Sequence, residues 1–139
     1  MKKKLTVLQS FNAMRNFLDD NYQKTKSDNV GAMLSFSLLF PDGGTFDPAI
    51  WNDWIESIEE VKGEKAKEVT DLEGFKITKS FLKLYYNLIS KPVDIGRILK
   101  TLEVDSKNIP TNEEAWNLWL KCIKKALEDE GKPYKSPFV

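Results

Sequence analysis

All four tryptophans of this chain fall in two Trp-x-x-Trp pairs, Trp51/Trp54 and Trp116/Trp119, and the pairs stand 65 residues apart. The correspondence runs along most of the chain. A shift of 64 residues lays Thr6 on Thr70, Leu8 on Leu72, Phe11 on Phe75, Phe17 on Phe81, Leu18 on Leu82 and Tyr22 on Tyr86. One extra residue near Pro92 changes the shift to 65, which lays Gly31 on Gly96, Leu34 on Leu99, Asn52 on Asn117 and Ile58 on Ile123. Ordered identities of this kind mark one supersecondary unit used twice, and a unit of this size buries its apolar face only against a neighbour.

Each unit reads as three helices. The first opens at a capping box, Thr6 with Gln9 and Thr70 with Glu73, where the hydroxyl takes an orphan amide and the longer side chain reaches back. Leu8, Phe11, Met14, Leu18 and Tyr22 follow at helical spacing, as do Phe75, Thr78, Leu82 and Tyr86. The second helix is short, from about Asp28 to Leu39 and from about Val93 to Leu102. Gly31 and Gly96 lie one turn inside it. A mid-helix glycine costs about 1 kcal/mol relative to alanine, so its presence in both units predicts a close approach of helices. The third helix opens at Asp47-Pro48, a carboxylate cap with proline at the first helical position. Its counterpart opens at Thr111 with Glu114, read as another capping box. Trp51, Trp54, Ile55, Ile58 and Val61 form one apolar face; Trp116, Trp119, Leu120, Ile123 and Leu127 form the other.

Pro41-Asp42-Gly43-Gly44 is a turn, residues 62–69 a charged linker, and no segment shows period-two alternation, so no sheet is expected. The expected fold is all-α: about six helices, as two diverged three-helix repeats in one bundle. Copy one spans 5–61, copy two 69–128, and 129–139 is a tail.

Composition narrows the function. Twenty-one basic and 21 acidic residues cancel, which argues against a dedicated nucleic-acid binder. Histidine is absent, and with it the usual general base, zinc ligand and pH switch. The lone cysteine, Cys122, suits a reducing compartment, and no run approaches the roughly 20 apolar residues of a membrane span. The basic start at Lys2-Lys3-Lys4 lacks a signal-peptide core, so a cytoplasmic, non-membrane protein is expected. Charge is segregated: residues 1–40 carry +3, residues 41–73 carry −7 and residues 74–139 carry +4.

Candidate chemistry is sparse. The tryptophan pairs share a helical face with isoleucines and read as core, with an aromatic recognition surface as the alternative. Cys122 reads as a buried small hydrophobe. No phosphate-cradling glycine loop and no activated nucleophile is present, so no enzyme activity, metal or cofactor is expected. The carboxylates of the acidic block, Asp42, Asp47, Asp53, Glu56, Glu59, Glu60 and Glu64, read as a solvated face that can steer and hold a basic protein surface. A carboxylate metal enzyme is the weakest alternative.

Residues 5–58 resemble a bacterial family. The resemblance rests on Phe11-x-x-Met14-x-x-Phe17-Leu18 with Tyr22, on Ser27-Asp28-Asn29 leading into Leu34, and on Asp42-Gly43-Gly44-Thr45. Its most specific string is Asp47-Pro48-Ala49-x-Trp51-x-Asp53-Trp54. In these features the chain is similar to the small immunity proteins of contact-dependent growth inhibition and polymorphic toxin systems, the CdiI type. Copy two keeps the tryptophans and Asn117 but has Leu118 in place of the aspartate between them. The resemblance implies an immunity protein that binds and neutralises a cognate toxin domain, commonly a nuclease with a basic cleft, as a non-catalytic stoichiometric inhibitor. It implies a basic protein partner and no direct nucleic-acid contact. A helical-repeat adaptor, or a homodimeric scaffold binding a peptide or partner protein, is the other class the sequence allows.

Overall fold

The computed structural model describes residues 3–37 and 47–132. Elements run in the order β1 (Lys4–Thr6), α1 (Val7–Thr25), α2 (Asp28–Phe36), α3 (Pro48–Lys62), β2 (Glu68–Thr70), α4 (Asp71–Leu88), α5 (Val93–Thr101) and α6 (Glu113–Glu128). Among the described residues the fold is all-α apart from the two short strands. Strand, long helix, short helix and amphipathic helix follow one another twice.

Local chemistry sets the boundaries. The Gln9 amide donates to Thr6 Oγ1 at 3.1 Å while the Thr6 amide donates to Gln9 Oε1 at 2.9 Å. Thr70 and Glu73 repeat the exchange at 3.1 and 2.8 Å. Asp47 Oδ1 accepts from the Ala49 amide at 3.0 Å with Pro48 behind it, and Gly63, at φ 77°, closes α3 in the left-handed region open to glycine. The cap of α6 differs from the expectation. Asn112, not Thr111, accepts from the Ala115 amide, at 2.9 Å; Thr111 instead donates its amide and hydroxyl to the Glu103 carbonyl. The expected end of the second helix at Leu39 and the turn at 41–44 lie outside the described residues.

The strands correct the expectation of no sheet. β1 and β2 pair antiparallel, Leu5 opposite Val69, with Lys4 opposite Thr70 and Thr6 opposite Glu68. Each strand is three residues long and buries only its central side chain, too short to write an alternation into the sequence. Leu5 and Val69 are also 64 positions apart, the shift that relates the two halves. The helix packing pairs off in the same way on either side of that pair. α1 packs on α6 and α4 on α3; α1 packs on α2 and α4 on α5; α2 meets α5. Phe11 meets Trp51 at 5.2 Å between ring centroids, and Phe75 meets Trp116 at 5.3 Å. Across the halves, Trp54 meets Phe81 edge-on at 5.4 Å and Trp119 meets Phe17 edge-on at 6.3 Å. Trp54 and Trp119 are both 0% exposed, at the centre of one continuous core, while Trp51 and Trp116 are half-buried against it. Two expected core positions face solvent instead, Leu8 at 40% exposure and Leu120 at 37%.

The glycines do what their position in both halves suggested. A Cβ on Gly31 would stand 2.8 Å from the Tyr22 ring, and one on Gly96 3.3 Å from the Tyr86 ring, so in each half the tyrosine of the first helix lies on the glycine of the second.

Candidate functional site

α3 carries the acidic block at the surface, packed antiparallel on α4. The pairing is fixed by three polar contacts along its length. Tyr85 donates its hydroxyl to Asp53 Oδ2 at 2.8 Å, Ser80 donates to Glu60 Oε2 at 2.7 Å, and Lys62 Nζ reaches Glu73 Oε1 at 3.1 Å. Burial, reinforced by the Asp53 carboxylate, pushes the Tyr85 phenol well above its ordinary value.

The seven sequence-predicted carboxylates divide accordingly. Asp42 lies outside the described residues. Asp47 caps α3 and Asp53 is held by Tyr85, so both are occupied by the fold. Glu56, Glu60 and Glu64 are exposed and Glu59 is half-buried. Among the described residues Glu56, Glu59 and Glu64 have no cationic or hydrogen-bonding partner, and Glu60 holds only the Ser80 hydroxyl. The free acidic surface is therefore four carboxylates on the last two turns of α3 and just beyond. The neighbouring α4 also carries Lys76, Lys79 and Lys83, and Lys76 donates to Asn108 Oδ1 at 3.1 Å in the α5–α6 connection.

Two surface features escaped the sequence reading. An open groove of about 560 Å³ lies between the end of α1 and the start of α6, lined by Lys24, Glu113, Glu114, Asn117, Leu118 and Lys121. Its walls mix both charges. The second feature is an apolar corner between α4 and α5, where Leu88 and Val93 are each 69% exposed. The chain turns there through two successive left-handed residues, Ser90 at φ 64° and Lys91 at φ 58°. The alignment of the halves holds the signal that could have found it. Leu88 corresponds to Lys24 and Val93 to Asp28, so the second half is apolar where the first is charged.

Cys122 is buried, and burial, with Asp20 nearby, pushes its thiol up to about 12, which leaves no thiolate for chemistry near neutral pH. Among the described residues no group of His, Cys, Asp and Glu converges on a metal position, and no helix is long and apolar enough to cross a membrane. No protein-family model, no curated protein and no solved structure matches the chain.

Proposed function

We propose that the chain is an immunity protein, a stoichiometric inhibitor that binds a cognate toxin domain, and that the outward face of α3 receives it. The observation that carries this reading is the set of surface carboxylates Glu56, Glu59, Glu60 and Glu64. Three sit on the last two turns of α3 and Glu64 just past its cap, and three of the four lack a partner among the described residues. A fold that leaves like charges adjacent and uncompensated gains nothing from them internally; they act outward, by attracting and orienting a basic surface. Asp47 and Asp53 support the same face from beneath, one by starting the helix and the other by fixing it on α4.

Mixing the protein with the toxin domain encoded by the adjacent upstream gene is expected to give a one-to-one complex and to protect cells from that toxin. The triple reversal E56K/E59K/E60K is expected to slow association at low salt by roughly tenfold or more, with helical content unchanged. Absence of both complex and protection overturns the proposal. The exposed Leu88 and Val93 favour a second reading, an adaptor that docks a partner on the α4–α5 corner. Under it, Leu88→Asp weakens partner binding while the charge reversal is silent.

A further inference from the structure

We infer that the chain also pairs with a second copy of itself by exchanging halves, residues 4–62 of one molecule closing on residues 68–128 of the other. The inference stands on the packing alone and is independent of the proposed function. The apolar face of α1 is covered chiefly by α6 and that of α3 by α4, so each long helix finds its main partner in the opposite half. β1 has β2 as its strand partner. The central indoles follow suit, Trp54 against Phe81 and Trp119 against Phe17. None of these contacts depends on which molecule supplies the second half.

What ties the halves within one molecule is residues 63–67, all exposed except the half-buried Ala66. The turn is held by Gly63 at φ 77° and by Lys62 Nζ, which spans the linker to the Glu68 carbonyl at 3.3 Å and to Glu73 at 3.1 Å. The closed and exchanged forms share every other contact. Their balance is set by this turn and by the effective concentration a short linker confers, on the order of millimolar. At lower protein concentrations the monomer prevails; near that concentration, or with a linker unable to turn, exchange takes over.

Two arms test this on the full chain. Wild-type protein unfolded in denaturant and refolded at about 1 mM is expected to give a species of twice the 16.0 kDa monomer mass that persists on dilution. Refolding at about a thousandfold lower concentration should give monomer. Replacing residues 63–67 by five alanines, so that α3 runs on instead of turning, is expected to give the double-mass species at micromolar concentration. Exchange is told from face-to-face docking by cross-linking. Gln9 Nε2 donates to Glu130 Oε2 at 2.8 Å across the α1–α6 contact, so Gln9→Cys with Glu130→Cys, in a Cys122→Ala background, places two thiols across it. A short thiol cross-linker should hold the double-mass fraction at double mass under denaturing conditions. If concentrated refolding yields monomer alone, whatever the alanine variant does, or if the cross-linked double-mass fraction denatures to single chains, the inference fails.

Discussion

Ser10 and Gly74 occupy corresponding places and settle the same indole donor in different ways. In the second half, Trp119 Nε1 donates directly to the Asp71 carbonyl at 2.8 Å. A Cβ on Gly74 would stand 2.8 Å from its ring. In the first half a serine fills that space and relays the bond: Trp54 Nε1 donates to Ser10 Oγ at 3.3 Å, and the hydroxyl donates to the Val7 carbonyl at 2.7 Å. Ser10→Ala leaves a buried N–H without an acceptor and is expected to cost about 1–3 kcal/mol in chemical denaturation. Gly74→Ala drives a methyl into a fully buried ring and is expected to destabilise by about 1–3 kcal/mol despite the better helix propensity. Gly96→Ala meets only the edge of a half-buried tyrosine at 3.3 Å and should lie within about 1 kcal/mol of wild type. The clasp between α2 and α5 belongs to the same scale. Burial would raise the Asp94 carboxyl, but hydrogen bonds from the Ser27 hydroxyl, the Asn29 amide and the Ile95 backbone amide outweigh it and hold the group below its ordinary value. A lowered folded-state value means stability present above the ordinary carboxylate range, near about 4, and lost as pH falls through the folded-state value. Stability measured against pH should decline in that acid window, and less steeply in Asp94→Asn.

Among the elements, helices announced themselves and strands did not. The capping boxes at Thr6 and Thr70, the proline at the start of α3 and the apolar stripes are local signals, complete within a few residues, and the structure uses them as read except at Leu8 and Leu120, which edge their stripes and face solvent. β1 and β2 bury one residue each, and their pairing joins positions 64 apart; no local pattern encodes it. The start of α6 shows the same limit on a smaller scale. Thr111 and Asn112 are both good caps by type, and the choice fell to the Glu103 carbonyl, which engages Thr111 from outside the helix. Asn112→Ala is expected to cost about 1 kcal/mol, and Thr111→Ala measurably less, by thermal or chemical denaturation. The acidic block was legible as charge but not as roles. That Asp47 would be spent on a cap follows from its place before Pro48, whereas the Tyr85 partner of Asp53 comes from α4 and is visible only once the helices are packed.

At the scale of the molecule, the halves share one core, and each long helix takes its chief covering from the opposite half, α1 from α6 and α4 from α3. Trp54 and Trp119 report from opposite halves, yet each rests on an aromatic ring of the other. Unfolding is therefore expected to be all-or-none: the fluorescence transitions of Trp54→Phe and Trp119→Phe variants should coincide with the loss of helical circular dichroism. Separate transitions for the two variants would show halves that melt alone.

The Gln9–Glu130 bond has a counterpart in the Glu73–Lys62 ion pair: in one the third residue of a long helix donates to a carboxylate two residues past the end of α6, and in the other it accepts from the last residue of α3. The seam near residue 130 is thus built like the seam near residue 64, although the chain crosses only one of them. A circularly permuted version, its ends joined through a few residues between 132 and 4 and cut at 65, would keep every helix and both strands in place. Chain direction in this protein is a matter of which seam is covalent.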